Sequence, residues 1–214
     1  MATQVLYVVL TAVVSYLLGS ISFAVIVSRT LAKKDVREYG SGNAGLTNVV
    51  RNFGKLPGIL TLLGDFSKGV ASVVLGRVIF EHLAQLNPQY GACVAGLFVI
   101  LGHIFPIFFG FKGGKGVLTT AGIALMIDPR VFVIVISLFL IIFFITRIVS
   151  ISSIIAAVAY PVTTCLINVW LQQPVLVDTL LTACIGAILI YMHRANIKRL
   201  IAGTEPKFQR KKKD

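Results

Sequence analysis

The segment around Lys112 and Lys115 has the residue types of an anion-binding loop. It contains Lys112, Gly113, Gly114, Lys115 and Gly116, and an apolar run begins directly afterwards. At a helix start, backbone N–H groups, the helix dipole and two ammonium groups favour a phosphate. The spacing differs from the nucleotide P-loop, which has four residues between its first glycine and Gly-Lys and then Ser or Thr. A phosphate site is therefore predicted, although a flexible connection with insertion-steering lysines also fits.

A second polar segment runs from Gly40 to Asn48, with Arg51 three residues further on. Its glycines allow close backbone approach, and its serine, asparagine and threonine side chains offer short hydrogen-bonding groups. We expect Thr47 or Asn48 to cap a short helix that carries Arg51 in its first turn, so that these donors converge on a phosphate. A polar connecting loop fits the same residues.

Three further polar residues stand within apolar runs. Asp65 and Lys68, three apart, share one helical face, and charges inside a membrane must pair or face a cavity. We expect an ion pair, with the wall of a polar site as the alternative. His103 stands near the end of another run, where it either bonds a neighbouring helix or acts as a general base.

Polar residues also follow the last apolar run. His193, Asn196 and Arg199 recur every three residues, so they share a face if the last helix continues beyond the run. Glu205 is the only acidic residue between that run and the terminal aspartate, which predicts a salt bridge to an arginine rather than a base. Residues 209–214 form a basic tail that fits binding to anionic lipid.

These polar segments belong to a chain that water alone cannot solvate. Of its 214 residues, 57% are hydrophobic and 13% are charged, and the mean hydropathy is +0.90. A soluble domain has about a quarter of its residues charged. The apolar runs are continuous and lack the alternation of membrane-spanning strands. The composition predicts an all-α integral membrane protein.

The apolar runs set the number of helices at about 20 residues for each crossing. They are Val5–Ser28, Leu56–Phe80, Gln89–Phe111, Gly116–Ile127, Val131–Thr146, Ile148–Val177 and Thr179–Met192. We expect these seven runs to be seven transmembrane helices, although the fourth and the last are too short to cross unaided. They form a single domain over residues 1–208, with the basic tail after it.

Charge distribution predicts the orientation. If the N-terminus lies outside, most of the 20 lysine and arginine residues fall in cytoplasmic segments, as the positive-inside rule requires. The C-terminus is then cytoplasmic, and the three polar clusters gather at the cytoplasmic face. There they can meet a soluble phosphate compound and a lipid-like donor.

Composition and motifs also limit the partners. Although the net charge is +12, its carriers lie between apolar runs and in a short tail, so membrane lipids and anionic substrates are expected, and nucleic acid is not. No metal-ligand spacing is present, so we expect no metal, and we expect a monomer. An organophosphate transporter would show inverted halves, and a phospho-alcohol transferase would show paired aspartates and a divalent metal; neither pattern is readable.

Taken together, the polar segments resemble the family of bacterial acyl-phosphate:glycerol-3-phosphate acyltransferases over about residues 15–208. The matching residues are Ser41, Asn43, Gly45, Thr47, Asn48 and Arg51; Gly102, His103 and Lys112 to Gly116; and His193, Asn196, Arg199, Gly203, Thr204 and Glu205. Lesser matches are Asp65 with Lys68, and Arg147 with Ser150.

The resemblance implies a seven-helix bundle of the bacterial inner membrane with its active site facing the cytoplasm. Such an enzyme transfers an acyl chain from acyl-phosphate to the 1-hydroxyl of glycerol-3-phosphate, giving lysophosphatidic acid and inorganic phosphate. No metal or cofactor is implied. Because acyl-phosphate already has a good leaving group, holding two phosphates side by side is the harder task. We expect a substrate phosphate oxygen, rather than His103, to accept the hydroxyl proton.

The resemblance also implies residue roles. The catalytic residues are Ser41, Arg51, His103, Lys115, His193 and Asn196. The phosphate-binding residues are Ser41, Asn43, Gly45, Thr47, Asn48, Arg51, Lys112, Gly113, Gly114, Lys115, Gly116, Asn196 and Arg199. The structural residues are Asp65, Lys68 and Glu205.

Overall fold

The computed structural model of the protein describes residues 2–208, and every regular element in that range is helical. The α-helices are α1 Ala2–Gly19, α2 Phe23–Ala32, α3 Leu46–Phe53, α4 Lys55–Val78, α5 Pro88–Ile104, α6 Val117–Ile127, α7 Pro129–Thr146, α8 Val149–Trp170, α9 Leu176–Met192 and α10 Arg194–Ile201. Short 3₁₀ turns occupy Val36–Glu38 and Ile107–Phe109. The all-α prediction is confirmed for these residues. The basic tail at 209–214 lies outside the described residues.

Several helical segments are long and apolar enough to cross a membrane. Five segments meet that description: Thr3–Ala32, Lys55–Leu83, Pro88–Phe109, Pro129–Thr146 and Val149–Trp170. The pair α9 and α10, bent by 59°, makes a sixth candidate, and α6 is a shorter apolar helix. Each of the seven predicted runs thus contains a helix. Seven crossings and their orientation stay predictions.

The first apolar run is broken, whereas the sequence predicts one helix over Val5–Ser28. The first helix, α1, ends at Gly19, and α2 begins at Phe23. The Lys68 ammonium of α4 donates to the carbonyl oxygens of Gly19 and Ile21, at 3.0 and 2.9 Å. A helix end leaves carbonyl groups without helical partners, and here a buried cation satisfies two carbonyls at the break. The apolar pattern of the run could not reveal a donor from another helix.

By their internal contacts the residues form two compact units, Met1–Pro129 and Arg130–Asp214, of which 2–129 and 130–208 are described. In the first unit, α4 packs against α2, α3, α5 and α6, and α5 also packs against α1. In the second unit, α8 packs against α9, and α10 contacts both. A single domain over residues 1–208 stays a prediction.

Glycines bring the helices of the first unit unusually close. Gly76 of α4 and Gly91 of α5 face each other, and a Cβ atom on either would collide with the carbonyl oxygen of the other. Gly69 of α4 is packed in the same way against the Thr119 carbonyl of α6. Small residues are favoured where helices pack closely in lipid. This packing lets polar groups of α4 and α5 meet inside the unit.

Candidate active site

The glycine-rich segment Lys112–Gly116 leads directly into α6, as the sequence predicts. Gly116 precedes the helix with a φ of +92°, in the region that favours glycine. The N–H groups of Gly113 and Gly114 donate to the carbonyls of Ile104 and His103, at 3.1 and 3.2 Å. These two N–H groups therefore satisfy the end of α5, and the expectation that they are exposed toward a phosphate is wrong. The last carbonyl groups of a helix have no partner within the helix and need donors from elsewhere. The sequence motif does not show that these two glycines supply them.

Glycine is required at positions 113 and 114 by close approach to α5. A Cβ atom at Gly114 would collide with the His103 Nε2 atom and with the Ala44 carbonyl oxygen, and one at Gly113 would collide with the His103 carbonyl oxygen. The Ala44 N–H also donates to the Gly113 carbonyl at 3.3 Å. The two polar segments of the first unit are therefore in direct contact, as expected of parts of one phosphate site.

Asn48 organises the polar segment from Gly40 to Asn48. Its side-chain amide is buried, and Nδ2 donates to the carbonyl oxygens of Val36, Tyr39 and Asn43 at 3.0, 2.9 and 3.1 Å. Its Oδ1 accepts from the Ser41 N–H at 3.2 Å. Both ends of the amide are thus bonded to the backbone of residues 36–43. The geometry gives Asn48 the task of shaping the loop rather than that of contacting a phosphate.

The helix after this segment differs from the expectation. Gly45, not Thr47 or Asn48, is the residue before α3, and Arg51 lies in the last turn instead of the first. Gly45 is extended, and the Asn48 side chain is used elsewhere, so neither predicted cap forms. Arg51 and Ser41 are exposed, while Thr47 is half-buried. The segment thus combines an internally bonded loop with accessible polar groups.

A buried cluster of Asp65, Lys68 and His103 lies beneath the glycine-rich segment. The Lys68 Nζ atom is 2.9 Å from Asp65 Oδ1, and the His103 Nδ1 atom is 3.6 Å from the same oxygen. None of the three residues is more than 5% exposed. The predicted Asp65–Lys68 ion pair is present, and its Lys68 ammonium also donates to the two carbonyls at the break between α1 and α2.

Both ring nitrogens of His103 face protein groups. The Nδ1 atom faces Asp65, and the Nε2 atom is packed against Gly114. A general base must reach the proton that it removes, within hydrogen-bond distance or through one water. The His103 ring is enclosed between the Asp65–Lys68 ion pair and the glycine-rich segment. This placement suits a residue that positions the segment better than one that transfers a proton.

In the second unit, Glu205 accepts hydrogen bonds from three side chains of two helices, α8 and α10. Its Oε1 atom accepts from Ser150 Oγ at 2.7 Å and from Asn196 Nδ2 at 2.6 Å, and its Oε2 atom accepts from Arg199 Nε at 2.7 Å. The predicted salt bridge to an arginine is present. Burial would raise the pKa of Glu205, but the hydrogen bonds from these three donors outweigh it, and the pKa lies below its usual value.

His193 forms the corner between α9 and α10. The helices meet there at 59°, and the His193 Nδ1 atom is 2.8 Å from the Leu189 carbonyl oxygen. The expectation of a shared face rests on a helix that continues past His193, and the bend shows that it does not. Asn196 and Arg199 nevertheless meet at Glu205, while His193 is buried at the corner.

Asp35 and Arg37, which precede the polar segment from Gly40 to Asn48, are not among the predicted site residues. Asp35 is buried and accepts from both Arg29 and Arg37. The hydrogen bond from the Arg37 side chain lowers the pKa of Asp35 far below its usual value, against the opposing effect of burial. The Asp-x-Arg spacing is the local sequence signal for this pair. Among the described residues, no three His, Cys, Asp or Glu side chains form a group that could hold a metal.

The sequence matches the family model described as glycerol-3-phosphate acyltransferase over residues 9–203. A glycerol-3-phosphate acyltransferase of Pseudomonas fluorescens is 44% identical over 200 residues, covering 93% of this chain and 98% of the relative. One of Clostridioides difficile is 40% identical over 204 residues, covering 95% of this chain and 97% of the relative.

The fold is also similar to solved structures. The crystal structure of PlsY, an integral membrane glycerol 3-phosphate acyltransferase, in its glycerol 3-phosphate form, superposes with a TM-score of 0.81 at 35% identity. That match covers 94% of this chain and 96% of the other. The lysophosphatidic acid form of PlsY gives a TM-score of 0.79, also at 35% identity.

Proposed function

The chain belongs to the glycerol-3-phosphate acyltransferase family, and from this premise we propose that it transfers an acyl chain from acyl-phosphate to the 1-hydroxyl of sn-glycerol-3-phosphate. The products are lysophosphatidic acid and inorganic phosphate, in the first acylation step of bacterial phospholipid synthesis. The observation that carries the proposal is the family match over residues 9–203, which includes both glycine-containing polar segments and the cluster from His193 to Arg199.

The first unit supplies the phosphate-binding part of the proposed mechanism. Lys112 and Lys115 flank the two glycines that pack against His103, and Arg51 lies on α3 directly after the loop that contacts them. Cations fixed by such packing neutralise phosphate charge without having to be reorganised during the reaction. We assign Arg51, Lys112 and Lys115 to the substrate phosphates, with Ser41, Asn43 and Thr47 as hydrogen-bonding groups.

The chemical step needs orientation more than a strong base. The 1-hydroxyl oxygen attacks the carbonyl carbon of acyl-phosphate, the bond from that carbon to the phosphate oxygen breaks, and inorganic phosphate leaves. A phosphate oxygen of either substrate takes the hydroxyl proton. Holding the two reactants together removes much of the entropic barrier. His103 then positions Gly114, and Asn48 shapes the neighbouring loop.

The second unit supplies an ordered pair of polar side chains. Glu205 accepts a hydrogen bond from Asn196 through one oxygen and from Arg199 through the other, which fixes the orientation of these two α10 side chains. In the proposed mechanism Asn196 and Arg199 contact phosphate, and His193 sets the direction of α10. Glu205 is a structural residue, because its oxygens already bind three protein donors.

We further propose that the protein is a monomer in the bacterial inner membrane, with seven crossings and its site facing the cytoplasm. The distribution of lysine and arginine supports this orientation. In a background without the native cysteines, Ser41→Cys should resist an impermeant thiol reagent applied to intact cells, and Gln85→Cys should react. Labelling of Ser41→Cys from outside would reverse the orientation.

Purified protein tests the proposed reaction directly. Given acyl-phosphate and labelled glycerol-3-phosphate in the presence of EDTA, it should form lysophosphatidic acid and one inorganic phosphate for each acyl chain transferred. Acyl-coenzyme A and acyl-carrier protein should give negligible rates under matched conditions. Comparable rates with either thioester would refute the donor, and activity that is lost on chelation and restored by magnesium would refute metal independence.

A further inference from the structure

The glycine-rich segment is preceded by a strained turn. Gly110 has a φ of +65°, and Phe111 follows with a φ of +59°. A bulky residue such as phenylalanine rarely adopts this left-handed conformation, and it keeps it only where surrounding contacts impose it. Lys112 comes directly after this turn, so the turn determines where the glycine-rich segment begins.

Arg37 bonds both sides of the turn. Its Nη1 atom donates to the Phe109 carbonyl oxygen at 2.6 Å and to the Lys112 carbonyl oxygen at 3.4 Å. These carbonyls flank the two left-handed residues. Phe109 also packs against the apolar cluster that contains Val36, the neighbour of Arg37. Packing brings the two segments together, and the guanidinium group then fixes the path of the turn.

Asp35 fixes the orientation of this guanidinium. Its two carboxylate oxygens accept from Arg37 Nε and Nη2 at 3.0 and 2.8 Å, and Oδ1 also accepts from the Arg37 backbone N–H at 2.9 Å. A bidentate pair of this kind leaves the third nitrogen, Nη1, directed at the turn. A lysine ammonium is a single point of charge and cannot hold a carboxylate in two places while reaching two carbonyls.

Arg29 provides an internal contrast. It binds the same carboxylate through Nε and Nη2, at 3.2 and 2.8 Å from Asp35 Oδ2. Its side chain is 56% exposed, compared with 19% for Arg37. Within the described residues, the hydrogen bonds of its side chain go to Asp35 and not to the turn. Two arginines thus share one carboxylate, but one of them reaches the glycine-rich segment.

We propose that Arg37 is a positioning residue for acyl transfer, oriented by Asp35, and that it holds the turn Phe109–Lys112 so that Lys112–Gly116 is presented to a substrate phosphate. This inference rests on the proposed function, in which that segment binds phosphate. Arg37 is not a catalytic residue, because its guanidinium nitrogens are used on Asp35 and on the turn.

Steady-state kinetics with acyl-phosphate and glycerol-3-phosphate provide the first test. Arg37→Ala should raise the KM for glycerol-3-phosphate on the order of tenfold, with a smaller change in kcat, because the loss of a charge-assisted contact disorders a binding loop. Arg37→Lys should restore part of the loss, and Asp35→Asn should change KM in the same direction as Arg37→Ala. Arg29→Gln, the matched control, should stay within about twofold of the unsubstituted protein.

A second readout does not depend on activity. Phe108 is 60% exposed and lies next to the turn, so a nitroxide on Phe108→Cys, in a background without native cysteines, reports the mobility of the turn. Arg37→Ala should increase that mobility, and Arg29→Gln should not. Equal mobility and equal KM for folded Arg37→Lys, Arg37→Ala and Arg29→Gln would overturn the inference. An unsubstituted protein without acyltransferase activity would refute the proposed function, while the nitroxide would still test whether Arg37 holds the turn.

Discussion

Asp65 in the first unit and Glu205 in the second are both carboxylates that hold basic and polar partners, but they do so in different surroundings. Asp65 lies within α4 at 1% exposure, and its ion-pair partner Lys68 is buried as well. Glu205 lies after α10, and its partner Arg199 keeps 41% of its side chain exposed. Loss of Asp65 would strand a cation in the protein interior, whereas loss of Glu205 would leave an arginine that water can reach.

The two networks also differ in what they connect. Asp65 joins Lys68 to His103, and Lys68 continues to the backbone at the break between α1 and α2. Glu205 instead ties the start of α8, through Ser150, to α10. The first arrangement supports the interior of a unit, and the second orders side chains at a helix end. Substitutions should therefore affect stability more strongly at Asp65 than at Glu205.

The largest expected effect is that of Asp65→Leu. It removes the counter-charge of buried Lys68, and breaking a buried ion pair in this way costs about 3–5 kcal/mol. Thermal unfolding of purified protein in detergent measures it, with the exposed Glu38→Gln as control. Adding Lys68→Met should recover only part of the loss, because it also removes the donor of the Gly19 and Ile21 carbonyls. An Asp65→Leu protein as stable as Glu38→Gln would contradict a structural role for the Asp65–Lys68 pair.

A smaller loss is expected for Glu205→Gln. It weakens charge-assisted hydrogen bonds from Ser150, Asn196 and Arg199, and bonds of this type contribute about 1.5–3 kcal/mol. A double-mutant cycle with Arg199→Gln should give a positive coupling energy below the full cost of Glu205→Gln, since exposed Arg199 can be hydrated. A loss equal to that of Asp65→Leu would remove the distinction between the two networks.

Acid should weaken the second unit gradually through Glu205. Because its pKa is lowered in the folded protein, Glu205 contributes stability that is fully present above its ordinary pKa of about 4.3 and is lost as the pH falls through the lower folded value. The melting temperature should therefore fall below about pH 4.3, and the fall should be shallower in Glu205→Gln. Identical pH profiles for the two proteins would show that Glu205 does not contribute this dependence.

The parts of the site that could be predicted are those with a local signal. Asp65 and Lys68 stand three apart in an apolar run, so their pairing follows from helical geometry. The acceptors of Lys68 could not be predicted, because they lie 49 and 47 residues away at a helix break. Ser150 and Glu205, 55 residues apart, are likewise brought together only by tertiary packing.

The glycine-rich segment shows the same limit. Its residue types indicate phosphate binding, and α6 begins where the sequence predicts it. Yet the N–H groups of Gly113 and Gly114 bond the end of α5, and the glycines are needed because His103 and Ala44 lie so close. The sequence identifies which residues are special, while the packing decides what each one does.

In the proposed mechanism the buried Asp65–Lys68–His103 cluster positions the site, while Arg51, Lys112, Lys115 and a substrate phosphate carry out the chemistry. The pH dependence of kcat/KM for His103→Gln beside Lys115→Ala tests this division of roles. We expect Lys115→Ala to lose on the order of ten- to a hundredfold, and His103→Gln to retain much of the activity with the acidic limb of the profile unchanged. A folded His103→Gln protein that loses about a thousandfold in kcat/KM together with the acidic limb of the profile would make His103 the general base and contradict this division of roles.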